Sequence, residues 1–106
     1  MKRSYKWKDL WGQDFSNRDL SFTDFTKAEL RESNLKGAKL MGSNFSGANL
    51  KGANLEGADL RWAFLRGANL EGANLSGAFL KGATYDDKTT LPISGEEAQK
   101  RGMIKK

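Results

Sequence analysis

Every fifth residue from Leu10 to Tyr85 is a large apolar side chain: Leu10, Phe15, Leu20, Phe25, Leu30, Leu35, Leu40, Phe45, Leu50, Leu55, Leu60, Leu65, Leu70, Leu75, Leu80 and Tyr85. An unbroken internal period constrains architecture more than any composition does. A spacing of five suits neither common element. On an α-helix it advances the side chain by about 500°, so the large residues would spiral around the cylinder. On a flat strand an odd spacing sends successive residues to opposite faces.

The flanking positions resolve the conflict. Two residues before most large positions sits a small one, as in Ala28, Ala38, Ala48, Ala53, Ala58, Ala63, Ala68, Ala73, Ala78 and Ala83, with Thr23, Ser33 and Ser43 as variants. A separation of two puts both on one side of an extended segment. Two residues after the large position there is usually Gly, from Gly12 to Gly82. Gly supplies the positive φ that the third position of a type II turn requires. Each unit therefore reads as an inward small residue, an outward polar one, an inward large one and a corner. A corner after every unit keeps every large residue inside, so the chain coils around its own core.

The stretches GANLKGANLEGADL and GANLEGANLSGAFL resemble the tandem motif of the pentapeptide-repeat family, and the likeness extends over about residues 8–87. The resemblance implies an all-β fold, a right-handed quadrilateral β-helix with four units per coil and about four coils. On that arrangement residues twenty apart stack, with rungs ~4.8 Å apart as in any β-ladder. The domain organisation expected is a basic, aromatic lead-in over 1–7, the β-solenoid over 8–87 and a C-terminal cap over 88–106. In the cap, Ser94 followed by Glu97 is a capping box and Gly102 a stop signal. These predict a short helix at about 95–101, with Leu91, Ile93, Ala98, Met103 and Ile104 sealing the last coil. At the other end the first coil carries Lys8, Gln13 and Arg18 at small-residue positions, placed to curl over the mouth, and Asp9, Asp14, Asp19 and Asp24 at outward positions. Tyr5, Trp7 and Trp11 read as a lid over the first layer or as a contact for a second molecule.

The net charge of +5 is a property of the tails. Lys2, Arg3, Lys6, Lys8, Lys100, Arg101, Lys105 and Lys106 lie in them; the remaining ten basic and thirteen acidic side chains give residues 9–99 a net of −3. There is no cysteine and no histidine. That removes disulfides, the usual general base and most transition-metal ligands. A filled solenoid offers no cleft in which Asp or Lys would be tuned for catalysis. The chain is read as no enzyme, with no cofactor and no metal. No run is long and apolar enough to span a membrane, and the N-terminus has no secretory signature, so a cytoplasmic protein without membrane association is expected.

Structural explanations cover most polar columns. Asn34, Asn54 and Asn74 read as a stacked ladder of side-chain amides, and Lys36 over Glu56 and Lys51 over Glu71 as solvated pairs. Asn17, Phe22, Lys27, Glu32, Trp62 and Asp87 replace Gly at corners, so turns of another type are expected there. The informative departures are apolar residues at outward places: Phe22, Met41, Trp62, Phe64 and Phe79. Stacking by twenty gathers them along one edge. An apolar patch of this kind marks either a contact surface or local packing, and Trp is a favoured interface anchor.

The leading functional reading is a non-catalytic structural or protein-interaction module with an unidentified protein partner. The expected state is a monomer or a weak homodimer formed through the N-terminal end or the Trp62/Phe64 edge. Two other readings stand behind it. Some members of the family resemble a DNA rod and protect gyrase from quinolones, but such mimicry calls for a long, strongly acidic shaft. Weak nucleic-acid binding through the basic tails is the other; nucleic acid is not an expected partner, because a continuous basic stripe is missing from the shaft.

Overall fold

The computed structural model describes residues 3–106. Its backbone is a four-sided coil. From Ser4 to Phe64 the outward residue of each unit forms a parallel bridge with the residue twenty further on, in four columns, and Asn69 bridges Thr90, twenty-one further on. One column runs Ser4, Asp24, Asn44, Phe64, Thr84; the next Asp9, Glu29, Asn49, Asn69; the third Asp14, Asn34, Asn54, Asn74; the fourth Asp19, Lys39, Asp59, Phe79. We call these faces A, B, C and D. The pairing is almost entirely by single-residue bridges, because a corner intervenes before a longer strand can form. The exceptions are β1 (Thr84–Tyr85) and β2 (Ile104–Lys105), which pair in parallel, and α1 (Gly95–Lys100) between them.

One unit shows the bonding. Leu50 N–H donates to Asn69 O at 2.6 Å, Gly52 N–H to Glu71 O at 2.9 Å, and Asn54 N–H back to Ser33 O at 2.9 Å, while Ala53 N–H closes the corner onto Leu50 O at 3.0 Å. The backbone is thus satisfied largely between coils, as a buried wall requires. Inside, the large and small inward positions form one continuous core, with Phe25, Leu30, Leu35, Leu40 and Phe45 wholly buried. Phe25 and Phe45, one rung apart, stack with centroids 4.9 Å apart and planes 1° from parallel.

The non-Gly corners do not become a different kind of turn as expected. Asn17, Phe22, Lys27, Glu32 and Trp62 all hold φ between 57° and 60°, the same left-handed sign as the glycine corners. At Asn17, Lys27, Glu32 and Trp62 the closing hydrogen bond is also kept, for example Ala63 N–H to Leu60 O at 3.1 Å. The ladder above and below fixes the direction of the chain, and the residue accepts the conformation. Two corners differ. Asp87 does not adopt a positive φ. At Phe22 the corner is opened by a side chain: Thr23 N–H donates to Ser43 Oγ at 3.1 Å and Ser43 Oγ donates to Leu20 O at 2.7 Å.

The ladder starts at Ser4, ahead of the boundary at residue 8, because Tyr5 takes an inward position and stacks on Phe25 at 5.4 Å. At the far end α1 runs from 95 to 100, one residue shorter than expected, and Ser94 Oγ accepts from Glu97 N–H at 3.0 Å. Ala98 and Met103 are buried and Leu91 and Ile93 pack partly against the core. Ile104 does not seal the coil: it occupies the outward position of a rung above Thr84 and is 47% exposed. The asparagines differ from the expected amide ladder as well. They stack in columns, but Oδ1 of Asn34, Asn54 and Asn74 accepts from the backbone N–H two residues on, so each amide oxygen serves its own corner. Asp14 and Asp19 do the same in the first coil, and the N–H groups of Ser16 and Ser21 hold their carboxyls below the usual range.

Candidate interaction surface

The edge between faces D and A carries a corner column of Phe22, Gly42, Trp62 and Gly82. Ladder bonds fix it: Phe22 N–H to Met41 O at 2.9 Å, Gly42 N–H to Arg61 O at 3.0 Å, and Trp62 N–H to Lys81 O at 3.0 Å. A left-handed corner aims its side chain along the rod axis, toward the next coil. Phe22 accordingly lies over Gly42 and Trp62 over Gly82, so closely that a Cβ on either glycine would overlap the ring. The alternation of ring and glycine is therefore a packing device. One side of each ring covers a glycine; the other faces solvent, with Phe22 59% and Trp62 51% exposed.

Phe64, on face A just after the corner, and Phe79, on face D just before it, are 46% and 58% exposed. Met41 is half-buried and contributes less surface than expected. Phe22 and Phe64 flank a shallow groove of about 170 Å³, floored by Thr23, Asp24, Gly42 and Asn44. Arg61 anchors the middle of the edge. Its guanidinium makes two bonds to Asp59, at 2.9 and 2.7 Å, and lies 5.7 Å from the Trp62 ring centroid. The bond from Arg61 holds the Asp59 carboxyl below the usual range, and Asp59 in turn raises Arg61. The edge thus offers four aromatic rings around one fixed ion pair.

The N-terminal aromatics part company. Tyr5 is half-buried and packs on Phe15 and Phe25, beside Leu10 and with the Arg18 guanidinium 5.6 Å from the Phe15 ring centroid. Trp7 and Trp11 stand outward at corners, 67% and 52% exposed. Lys27 lies 5.1 Å above the Trp7 ring and Arg31 3.9 Å above the Trp11 ring, one rung up in each case. Trp11, Arg31, Glu32 and Lys51 line a depression of about 240 Å³. Arg31 is itself bonded to Glu29 at 2.9 Å. Of the polar columns, Lys36 meets Glu56 at 3.6 Å and Lys51 meets Glu71 at 3.7 Å, as expected of exposed pairs. Ser43 was expected only as a small inward variant, and its bridge between Thr23 N–H and Leu20 O was not. Its hydroxyl in an otherwise alanine-rich inward column was the available signal. Among the described residues no group of side chains is arranged to hold a metal ion, and no helix is long and apolar enough to cross a membrane.

Comparison with known proteins agrees with this architecture. The sequence profile of pentapeptide repeats matches residues 14–47 and 48–84. A crystal structure of a pentapeptide repeat protein from Nostoc PCC 7120 superposes with a TM-score of 0.92 at 39% identity, covering 99% of this chain and 86% of that one. A pentapeptide repeat protein from the Arabidopsis thaliana thylakoid lumen superposes with a TM-score of 0.80 at 38% identity, covering 87% of this chain and 72% of that one. No curated protein sequence matches the chain at a significant level. The chain belongs to the pentapeptide-repeat family, and its fold is the right-handed quadrilateral β-helix.

Proposed function

We propose that the chain is a non-catalytic protein-interaction module whose contact surface is the edge formed by Phe22, Trp62, Phe64 and Phe79. The observation that carries the reading is the exposure of four aromatic rings along one edge of a rod whose other large apolar residues are mostly inside. A rigid ladder presents them at fixed spacing, which lowers the ordering cost of binding, and aromatic side chains dominate protein contacts. The absence of histidine and cysteine from the sequence favours a binding role over a catalytic one. Rod mimicry of DNA is less well supported, because Arg31, Lys51, Arg61 and Arg66 alternate with acids along the shaft and each pairs with one of them.

The double substitution Trp62→Ser with Phe64→Ser tests the reading. Sedimentation velocity and affinity capture from the native host, each run beside the unsubstituted chain, should lose self-association or lose a captured protein. Unchanged association together with an unchanged set of captured proteins would remove the edge as the contact surface.

A further inference from the structure

The C-terminal end of the rod is stepped. Face A carries a further rung, because Ile104 pairs above Thr84, and face B carries one, because Thr90 pairs above Asn69. The chain then leaves the ladder through Leu91, Pro92 and Ile93, crosses as α1 and rejoins only at Gly102, whose carbonyl accepts from Gly82 N–H at 2.8 Å. Faces C and D are left one rung short. Their last coil keeps four backbone N–H groups, on Gly72, Leu75, Gly77 and Leu80, that find no acceptor among the described residues. One coil below, the equivalent N–H groups of Gly52, Leu55, Gly57 and Leu60 are all bonded, at 2.8 to 2.9 Å. The wall is also thinner here: Ala73 and Ala78 are 6% and 8% exposed, against 0–1% for the other wall alanines from Ala28 to Ala83. On face D the tail supplies a partial substitute, since Arg101 Nη2 donates to Leu75 O at 2.8 Å and to Ala78 O at 3.0 Å. On face C, among the described residues, only the Arg101 bond to Leu75 O reaches the edge, the N–H groups of Leu75 and Gly77 meet no acceptor, and Asn74, Ser76 and Gly77 are exposed.

We propose that the edge of face C, from Ala73 to Gly77, is a docking site for an extended segment of a partner protein, added as one more parallel rung. Unpaired donors at a sheet edge select backbone carbonyls, the basis of strand addition as a recognition mode. The rung below dictates the register. There, Asn74 N–H donates to Ala53 O at 3.0 Å, and Asn74 O and Ser76 O accept from Leu55 and Gly57 at 2.9 Å. The incoming residue at the Asn position donates to Ala73 O and accepts from Leu75 N–H; the carbonyl two residues later accepts from Gly77 N–H. A residue with a small side chain precedes the first position, as Ala73 does, and an acid near the corner faces the Arg101 guanidinium. A second copy of the rod does not stack end to end here, because the end is stepped by the rungs of Ile104 and Thr90 and crossed by α1. The site is separate from the aromatic edge and stands or falls independently of it.

Amide hydrogen exchange on the full chain, followed by NMR, is the test. The probe is an acetylated, amidated peptide Ala-Asn-Leu-Glu-Gly-Ala, which copies residues 53–58 of the same face, with a second peptide N-methylated at its Asn as control. In the free chain the amides of Leu75 and Gly77 should exchange at least ~100-fold faster than those of Leu55 and Gly57. Saturating peptide should slow both and shift their resonances, while the methylated peptide should do neither. Protection of Leu75 and Gly77 equal to that of Leu55 and Gly57 without peptide would overturn the proposal. So would an unchanged exchange pattern with the probe, or equal effects from the two peptides.

Discussion

The two halves of the rod reach one backbone from different sequences. From Asn44 to Tyr85 the units follow the repeat closely: the small inward position is always Ala, and the corner is Gly everywhere except Trp62. From Ser4 to Ser43 the small positions hold Lys8, Gln13, Arg18, Thr23, Ser33 and Ser43, with alanine only at Ala28 and Ala38, and the corners hold Trp7, Asn17, Phe22, Lys27 and Glu32, with glycine only at Gly12, Gly37 and Gly42. Yet the left-handed φ and the twenty-residue register persist through both. The difference teaches that the repeat motif records which residues meet the geometry with least strain, while the ladder between coils imposes it. A non-glycine residue in the left-handed region costs roughly 1–2 kcal/mol, and inter-coil hydrogen bonds and core burial, accumulating from one neighbour to the next, outweigh that cost.

The contrast can be broken at three places. The largest effect is expected in the regular half, at Gly82. An alanine there combines left-handed strain with overlap against the Trp62 ring, for a loss of about 2–4 kcal/mol in chemical denaturation. Gly67→Ala meets only the Gly47 backbone at 3.8 Å and should lose about 1 kcal/mol, from strain alone. Combining Gly82→Ala with Trp62→Ala should bring the cost of the glycine change down to the Gly67 value, because the double-mutant cycle removes the collision.

In the irregular half, Ser43→Ala deletes the hydroxyl that bridges Thr23 N–H and Leu20 O. The expected loss is about 1–2 kcal/mol, read as a lower denaturation midpoint. An unchanged midpoint would mean that the Phe22 corner closes like the others once the hydroxyl is gone. The smallest effect has the opposite sign. Glu32→Gly should stabilise the chain by about 1 kcal/mol, since it relieves a left-handed φ of 58° at a residue whose carboxylate lies over Gly52 and makes no ion pair among the described residues. A destabilised variant would show that this side chain contributes more than its backbone costs.

Much of the fold was legible because the period of five admits few solutions: Leu, Ala and Gly positions each had a physical task, and the cap announced itself through Ser94 and Gly102. The corners were misjudged because residue preference is a local signal, whereas the φ of Phe22 or Lys27 is set by coils twenty residues away. The asparagine columns were read correctly as columns and wrongly as amide ladders, since a shared face does not say where Oδ1 points. Ile104 was assigned to the seal because an apolar residue was presumed to be inside; its register on the rung above Thr84 places it outside. Of the candidate surface, Phe22, Trp62, Phe64 and Phe79 were found from misplaced hydrophobicity. The short face C was out of reach, because it depends on the path the tail takes after Thr90.

The twenty-residue register is the claim from which the corners, the aromatic edge and the stepped end all follow, and the cysteine-free sequence makes it directly testable. Asn49 and Asn69 are bridge partners on face B, and neighbouring rungs ~4.8 Å apart fall within the Cα separation that a disulfide spans. The pair Asn49→Cys with Asn69→Cys should oxidise quantitatively to an intramolecular disulfide under mild conditions. The pair Asn49→Cys with Asn74→Cys, on adjacent faces, should not. Equal cross-linking of the two pairs, or preference for the second, would contradict the coil.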